Sequence, residues 1–414
     1  MRMINTNEAA FLELSATNLQ IANRADPKDM FGLLSVKGYV VGQVDDYGTL
    51  TVEFAGHTCT LPAAQVMWPQ SENTRCVEFH LLTHLIPNGV HEVSAKLNLA
   101  DGQQLDFPPL SLNISNDGPL AHQVSEDLRA FNAPLITGRI IDSSLFPYGN
   151  GTARAWFNDA TVEDVDLSFE PANDATAAQK HLLRWGFCVL HEQLPSDLIE
   201  NFNRDLASAI AVGDLQYRAG SSDRIHGAHR KIPAARAVWL YPPVIDFLES
   251  FFKDTPCACQ TLTYVNGSEQ DAHQDSIHLT PYPSGFMCGV WIALQDIEAD
   301  SGELFVYPGS HRSGSIRARD LGVGKIVNED YSPYHVFATA IENIIEQEGY
   351  EKVVYRPKAG QILVWHENLI HGGSPRADQS RSRLSVVSHY YAKGSVGFYD
   401  SRGEAAALET LAKM

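Results

Sequence analysis

Apolar and polar residues alternate with a period of two through much of the first hundred or so positions. Residues 49–54 (TLTVEF), 76–82 (CVEFHLL) and 91–99 (HEVSAKLNL) each predict a strand with one face turned inward. Turn residues punctuate them: Asp46-Tyr47-Gly48 precedes the first, and Asp101-Gly102 follows the third as a two-residue hairpin signal. The return strand is predicted in two pieces, 103–107 and 110–114. Short strands with turns about every ten residues predict a β-sandwich over residues 1–118, ended by the break at Asn116-Asp117-Gly118-Pro119.

Residues 119–170 show no dominant period and are assigned to a linker, with 143–154 (SSLFPYGNGTAR) read as loop. Helical spacing then appears. Residues 175–185 predict a helix stopped by Gly186, and 187–190 a short strand. Ser196 is the expected N-cap of a second helix, in which Leu198, Phe202, Leu206 and Ile210 recur on one face as core positions. From about 257 onward the pattern is mostly β. It is interrupted at about 315–357, where a helix is expected around 337–348. A long insertion between core strands often covers a site, so this span, with Tyr331, Tyr334, His335 and Tyr350, is expected to act as a lid. Residues 171–414 are taken as one catalytic domain.

A chain of 414 residues is longer than one core usually organises, in keeping with two domains. The formal net charge of −19 removes the basic field that phosphate backbones and anionic membranes require. The expected partner is a small molecule, with no nucleic acid and no membrane; a homo-oligomer is compatible. The opening MRMINTNEAAFLELSATNLQ has no basic stretch followed by an apolar run, so no secretory signal is expected, and no apolar run is long enough to span a bilayer. The six cysteines are scattered, and Cys257-Ala258-Cys259 is not a zinc-ribbon spacing. Reduced thiols and a cytoplasmic location follow as expectations.

Candidate chemistry begins at Ala272-His273-Gln274-Asp275. On a strand, His273 and Asp275 would share a face and could present an imidazole and a carboxylate to one metal. About a hundred residues on, residues 360–365 (GQILVW) lead into His366 and then His371-Gly372-Gly373, either of which could add a second imidazole. The glycine turn favours His371. Two histidines and a carboxylate on one face make the facial triad of non-haem Fe(II) oxygenases. Each piece has a plainer reading. A lone His-x-Asp arises often by chance, and Arg383 in the β-rich run RLSVVSHYY could be a surface ion-pair partner. Arg383 and Ser385 would share a face, however, and a guanidinium fork beside a hydroxyl suits a carboxylate. It is the ordered set of three that points to a site.

The stretches AHQD at 272–275, GVWIALQDIEADSGELFVYPGSHRSG at 289–314 and AGQILVWHENLIHGG at 359–373 resemble the phytanoyl-CoA dioxygenase family, over roughly residues 175–395. The resemblance implies a double-stranded β-helix, or jelly-roll, fold. It implies Fe(II) on His273, Asp275 and His371, with 2-oxoglutarate held by Arg383 and its pocket lined by Gln274 and Trp291. In the family the arginine usually lies eleven residues after the distal histidine. That position is Ser382 here, flanked by Arg381 and Arg383; Arg383 is chosen because it preserves the Arg-x-Ser pair. Gly373 stands where the family usually has a small hydroxyl residue, and an upstream basic pocket residue is sought at Arg230 or Lys231. His226, His229 and His278 are candidates to touch substrate. The N-terminal block is similar, in its glycine-rich opening (38–46) and its hairpin, to small β-sandwich modules attached to bacterial glycan-modifying enzymes.

The expected function is that of a dioxygenase. O2 and 2-oxoglutarate would be consumed, succinate and CO2 released, and a C–H bond of a polar or glycan-related substrate hydroxylated. Related halogenases lack the metal carboxylate, so Asp275 favours hydroxylation. An acidic chain disfavours the phosphates of an acyl-CoA. The alternatives are a binding or scaffold protein that keeps the fold without turnover, and a cupin-like metal protein without 2-oxoglutarate.

Overall fold

The computed structural model describes residues 14–24, 30–42, 47–328 and 330–410. The protein is mainly β with helices, and it divides into two compact units: Met1–Asn116 with Pro134–Ile141, and Asp117–Ala133 with Asp142–Met414. Among the described residues no helix is long and apolar enough to cross a membrane. The turn residue Asp46 and residues 1–13 of the N-terminal opening lie outside the described residues.

In the first unit, one antiparallel sheet is built on strands Leu33–Val41 and Thr74–Leu82, and a second runs in the order His57–Pro62, Tyr47–Phe54, Gly89–Leu99, Gln104–Ile114. The expected strands are present, and period two works as it should. Leu50, Val52 and Phe54 are buried beside Val93, Ala95 and Leu97, and they share one apolar cluster with Val36, Val40, Val77, Phe79 and Leu81 from the first sheet. The two pieces expected at 103–107 and 110–114 are one strand. Pairing skips from Val93↔Leu110 to Ala95↔Phe107, so Pro108 and Pro109, which offer no N–H, sit at a bulge and the strand continues. Gly38 lies mid-strand, not in a glycine-rich turn; a Cβ there would strike the Phe107 ring. The strands Leu33–Val41 and His57–Pro62 had no prediction. The former is buried at most positions and so lacks clean alternation.

The second unit holds a seven-stranded antiparallel sheet. Its order is Phe187–Val189, Ile362–His366, Met287–Ala293, Ser385–Ala392, Pro256–Tyr264, Arg224–His226, with Glu409–Thr410 also pairing to Pro256–Tyr264. A smaller sheet, Val353–Tyr355, Leu304–Val306, His371–Gly373, shares a core with it: Leu262, Trp291, Leu363 and Val387 from the large sheet meet Leu304, Val306 and Tyr355. Every residue of Met287–Ala293 is buried, so this strand is covered on both faces. Helix Ala175–Trp185 ends at Gly186 in the left-handed region (φ 83°), as expected. In helix Ser196–Ala211 the N-cap is Pro195 and not the expected Ser196; Ile199, Phe202 and Leu206 are its buried face, while Leu198 and Ile210 are half-buried. The later helix runs Ser332–Glu348, starting before 337 because Pro333 suits a helical first turn. Residues 119–170 include helix Pro119–Ala130 and the short strand Ile136–Thr137, which pairs with Thr74–Leu82.

Candidate metal centre

His273 and His371 are brought together by one antiparallel bridge, each donating its N–H to the other's carbonyl (2.9 and 3.0 Å). Asp275 follows at the start of a 3-10 turn, Asp275–Ile277, so a single extended pair, not a full strand, carries the His-x-Asp motif. The ring centroids of the two histidines are 4.5 Å apart, and each Nε2 lies 3.8 Å from Asp275 Oδ1. One ligand atom from each of the three residues falls within 4.8 Å of the others, and all three residues are buried.

Hydrogen bonds choose the tautomers. His273 Nδ1 lies 2.8 Å from the Asp271 carbonyl and His371 Nδ1 3.0 Å from the Leu369 carbonyl. A carbonyl only accepts, so both Nδ1 atoms are protonated and both Nε2 lone pairs face Asp275 Oδ1. The other carboxylate oxygen, Oδ2, accepts from Trp365 Nε1 at 2.7 Å and from His389 Nε2 at 3.1 Å. His389 Nδ1 in turn lies 3.3 Å from Gln260 Nε2, which can only donate. Asp275 therefore keeps one oxygen for a metal while the other is pinned. Trp365 reaches it because its cross-strand partner is Gly289, where a Cβ would collide with the indole. Burial would push the Asp275 carboxyl up, but the surrounding His389, His371 and His273 rings outweigh this and hold it well below the usual carboxylate range. Burial, with His371 beside it, lowers His273 to about 3, which keeps its imidazole neutral.

The cluster opens into a cavity of about 720 Å³, a size suited to a small ligand. Arg383 and Trp291 line it. Arg383 is 2% exposed, donates to the Gly302 carbonyl at 3.0 Å, and lies over the Tyr264 and Trp291 rings at 5.3 and 5.8 Å. No carboxylate lies within ion-pair distance of it among the described residues, and its Nε and Trp291 Nε1 have no partner there. Burial pulls its pKa down to about 10 against the opposing influence of Tyr264 and Glu303. A buried guanidinium left in this state is costly unless an anion joins it. Arg381 is instead tied at the surface to Asp378 and Glu298.

Two of the expected pocket residues do not line the cavity. Gln274 points the other way, as period two requires of a residue between His273 and Asp275. Its amide nitrogen donates to the Gly314 and Asn368 carbonyls, and its oxygen accepts from Ile316 N–H. Ser385 is buried 3.4 Å from the Arg383 carbonyl. His366 lies against Phe157 and His311 and accepts from Asn368 N–H, away from the cluster. His226 and His278 line the cavity, whereas His229 stacks on Trp239. Neither Arg230 nor Lys231 lines the cavity, whereas Arg224 and Arg402 do. From the expected lid, Tyr331 and Tyr334 face the cavity, and Tyr334 stacks on His278 at 5.7 Å. His335 does not line it, and Tyr350 bonds Ser313 instead. His389 and Trp365 had been given no role. The signal for His389 was present, since it is the third inward step after Ser385 and Val387.

A buried two-histidine, one-carboxylate cluster on the floor of a cavity between antiparallel sheets defines the class of mononuclear metal sites with open coordination positions. Residues 183–383 match the phytanoyl-CoA dioxygenase (PhyH) family. Curated relatives include phytanoyl-CoA dioxygenase domain-containing protein 1 of Rattus norvegicus, 32% identical over 96 residues (22% of this chain, 33% of that one). They also include the peroxisomal phytanoyl-CoA dioxygenase of Homo sapiens, 24% identical over 177 residues (39% and 47%). The chain thus spans about a third to a half of the length of these relatives. Similar solved structures include the non-heme alpha ketoglutarate dependent carbocyclase SnoK (TM-score 0.43, 15% identity, 54% of this chain and 88% of that one). EctD from S. alaskensis with bound Fe is another (TM-score 0.40, 16% identity, 56% and 81%).

Proposed function

We propose that the chain is an Fe(II)- and 2-oxoglutarate-dependent dioxygenase that hydroxylates a C–H bond of a small, polar or glycan-related substrate. In this reading the catalytic unit is a double-stranded β-helix, the first unit is an accessory β-sandwich, and the protein works in the cytoplasm. One observation carries it: a three-ligand cluster and a buried, unanswered guanidinium line the same cavity.

The donor set fits the metal. His273 Nε2, His371 Nε2 and Asp275 Oδ1 would hold Fe(II) from one side, leaving positions for a bidentate 2-oxo acid and O2. Bound iron with O2 supplies the oxidative decarboxylation of 2-oxoglutarate to succinate and CO2, which drives the hydroxylation. The chain's own residues supply geometry. Arg383 takes the far carboxylate through a charge-assisted fork, with Trp291 Nε1 beside it. Trp365 and His389 hold Asp275 in register, and the apolar wall of Trp291, Leu304 and Val387 keeps water off. Asp275 would fill the ligand position that a halogenase leaves to chloride, which favours hydroxylation over halogenation.

The test is metal binding together with succinate release. Wild-type protein should bind one Fe(II) per chain and convert 2-oxoglutarate. His273→Ala and Asp275→Ala should abolish metal-dependent conversion. Full activity in both variants would remove the assignment.

A further inference from the structure

Besides Arg383, two more arginines line the cavity. Arg224 lies on the edge strand Arg224–His226, where Ile225 turns into the core and Arg224 and His226 project together from the other face. Arg402 stands in the turn after Val396–Tyr399, its N–H bonded to the Tyr399 carbonyl. Both residues are exposed and line the cavity, and among the described residues neither has a carboxylate within 4.0 Å. Their situation differs from that of Arg218, Arg317, Arg356 and Arg381, which each answer an aspartate or glutamate. In a chain with 50 acidic and 31 basic residues, two unanswered arginines on one cavity wall are not explained by a surplus of cations.

The two groups act on one region. Arg224, Arg402, His226 and His278, from separate segments, line the same cavity, and beyond the effect of burial both arginines lower the pKa of each histidine, against Asp275 in the case of His278. Glu269 is occupied by Ser222 and the Arg376 N–H. Asp271 and Glu404 also line the cavity, outside ion-pair distance of either arginine, and would repel an anion placed beside them.

Resting on the dioxygenase reading above, we propose that Arg224 and Arg402, with His226 beside them on the cavity wall, form an anion subsite that holds an acidic group of the substrate. The substrate class is a small molecule bearing a carboxylate, sulfate or phosphate ester. Two charge-assisted contacts would orient it with its acid at this end and a C–H bond toward the metal.

Inorganic sulfate, inorganic phosphate and acetate are the probes. Each is titrated calorimetrically into protein loaded with Fe(II) under anaerobic conditions and saturated with 2-oxoglutarate, so that Arg383 is already engaged, and also into metal-free protein. Saturable binding is expected in wild type, with about a tenfold loss in Arg224→Gln and in Arg402→Gln and none in Arg381→Gln. Tighter binding of the tetrahedral ions would assign an ester of sulfate or phosphate, and tighter acetate binding a carboxylate. No saturable anion binding, or equal binding in both variants, overturns the proposal. Both arginines are exposed, so thermal unfolding of the variants should match wild type. Metal and 2-oxoglutarate affinities are measured on the same samples: their absence in wild type would count against the dioxygenase reading, while the metal-free titration still decides the anion subsite.

Discussion

The two β units use their inward-facing positions differently. In the first, successive inward steps along each strand stay apolar: Leu50, Val52, Phe54 on one strand and Val93, Ala95, Leu97 on its neighbour. In the second, the same period leads out of the apolar core into chemistry. Val387 is followed by His389, Leu262 is preceded by Gln260, and Leu363 is followed by Trp365, whose indole bonds Asp275. An apolar face closes on itself because each buried Å² contributes about 25 cal/mol. A face ending in imidazoles, a carboxylate and a guanidinium cannot close without cost, so the sheets leave a cavity there. Function sits where the core stops being apolar.

The sharpest way to break this contrast is to damage the core that carries no chemistry. Leu50→Ala should cost the first unit about 2–5 kcal/mol in denaturant unfolding, while Fe(II) affinity stays at its wild-type value. A parallel loss of metal affinity would show that the two units share one core. The next effect belongs to the buried cation. Arg383→Ala should weaken 2-oxoglutarate binding by on the order of ten- to a hundredfold, the loss of roughly 1.5–3 kcal/mol of charged contact. Arg381→Ala, at an exposed ion pair, should change it little. The reverse order, read by titration calorimetry, would move the pocket to Arg381.

A smaller effect is expected one step behind the metal ligands. His389→Ala removes one of two donors to Asp275 Oδ2 and should lower metal affinity by about tenfold, up to a hundredfold. His389→Gln, able to donate in its place, should recover part of it. Unchanged affinity in His389→Ala would leave the positioning to Trp365. The last test reads stability rather than affinity, as a pH dependence of the second unit. Burial lowers His229 and His311 to about 4 from an ordinary value near 6.5. Between those values the unfolded chain binds more protons than the folded one, so stability rises with pH and is lost as pH falls from about 6.5 toward 4. The unfolding temperature followed by near-ultraviolet circular dichroism should fall over that window. It should fall less in His229→Gln. A flat profile in wild type would show that these rings are charged in the fold.

What was legible in the sequence was whatever a short-range period or a local stereochemical rule controls. The strands at 47–54 and 89–99, the helix ended by Gly186, and the inward direction of His273, Asp275 and Arg383 all follow from such rules. The strand Leu33–Val41 was not legible, because burial on most positions erases alternation. The choice of His371 over His366 leaned on a local glycine turn and on resemblance. What separates them in space is the bridge that sets His371 beside His273, while His366 turns to Phe157. Resemblance puts Gln274 in the pocket, whereas its place between the inward-facing His273 and Asp275 turns it toward the Gly314 carbonyl. The convergence of Trp365 and His389 on one carboxylate oxygen, with Gln260 behind His389, lay beyond any local rule, since Trp365 and His389 stand 90 and 114 positions from Asp275 and Gln260 stands 129 from His389, and they meet only through the pairing order of the large sheet. The same holds for Arg224 and Arg402. A sequence specifies which face a side chain takes on its own strand, because that is a matter of backbone geometry over two residues. Which strands then stand side by side depends on the free energy of the whole core, and so the company each polar group keeps was decided by tertiary structure alone.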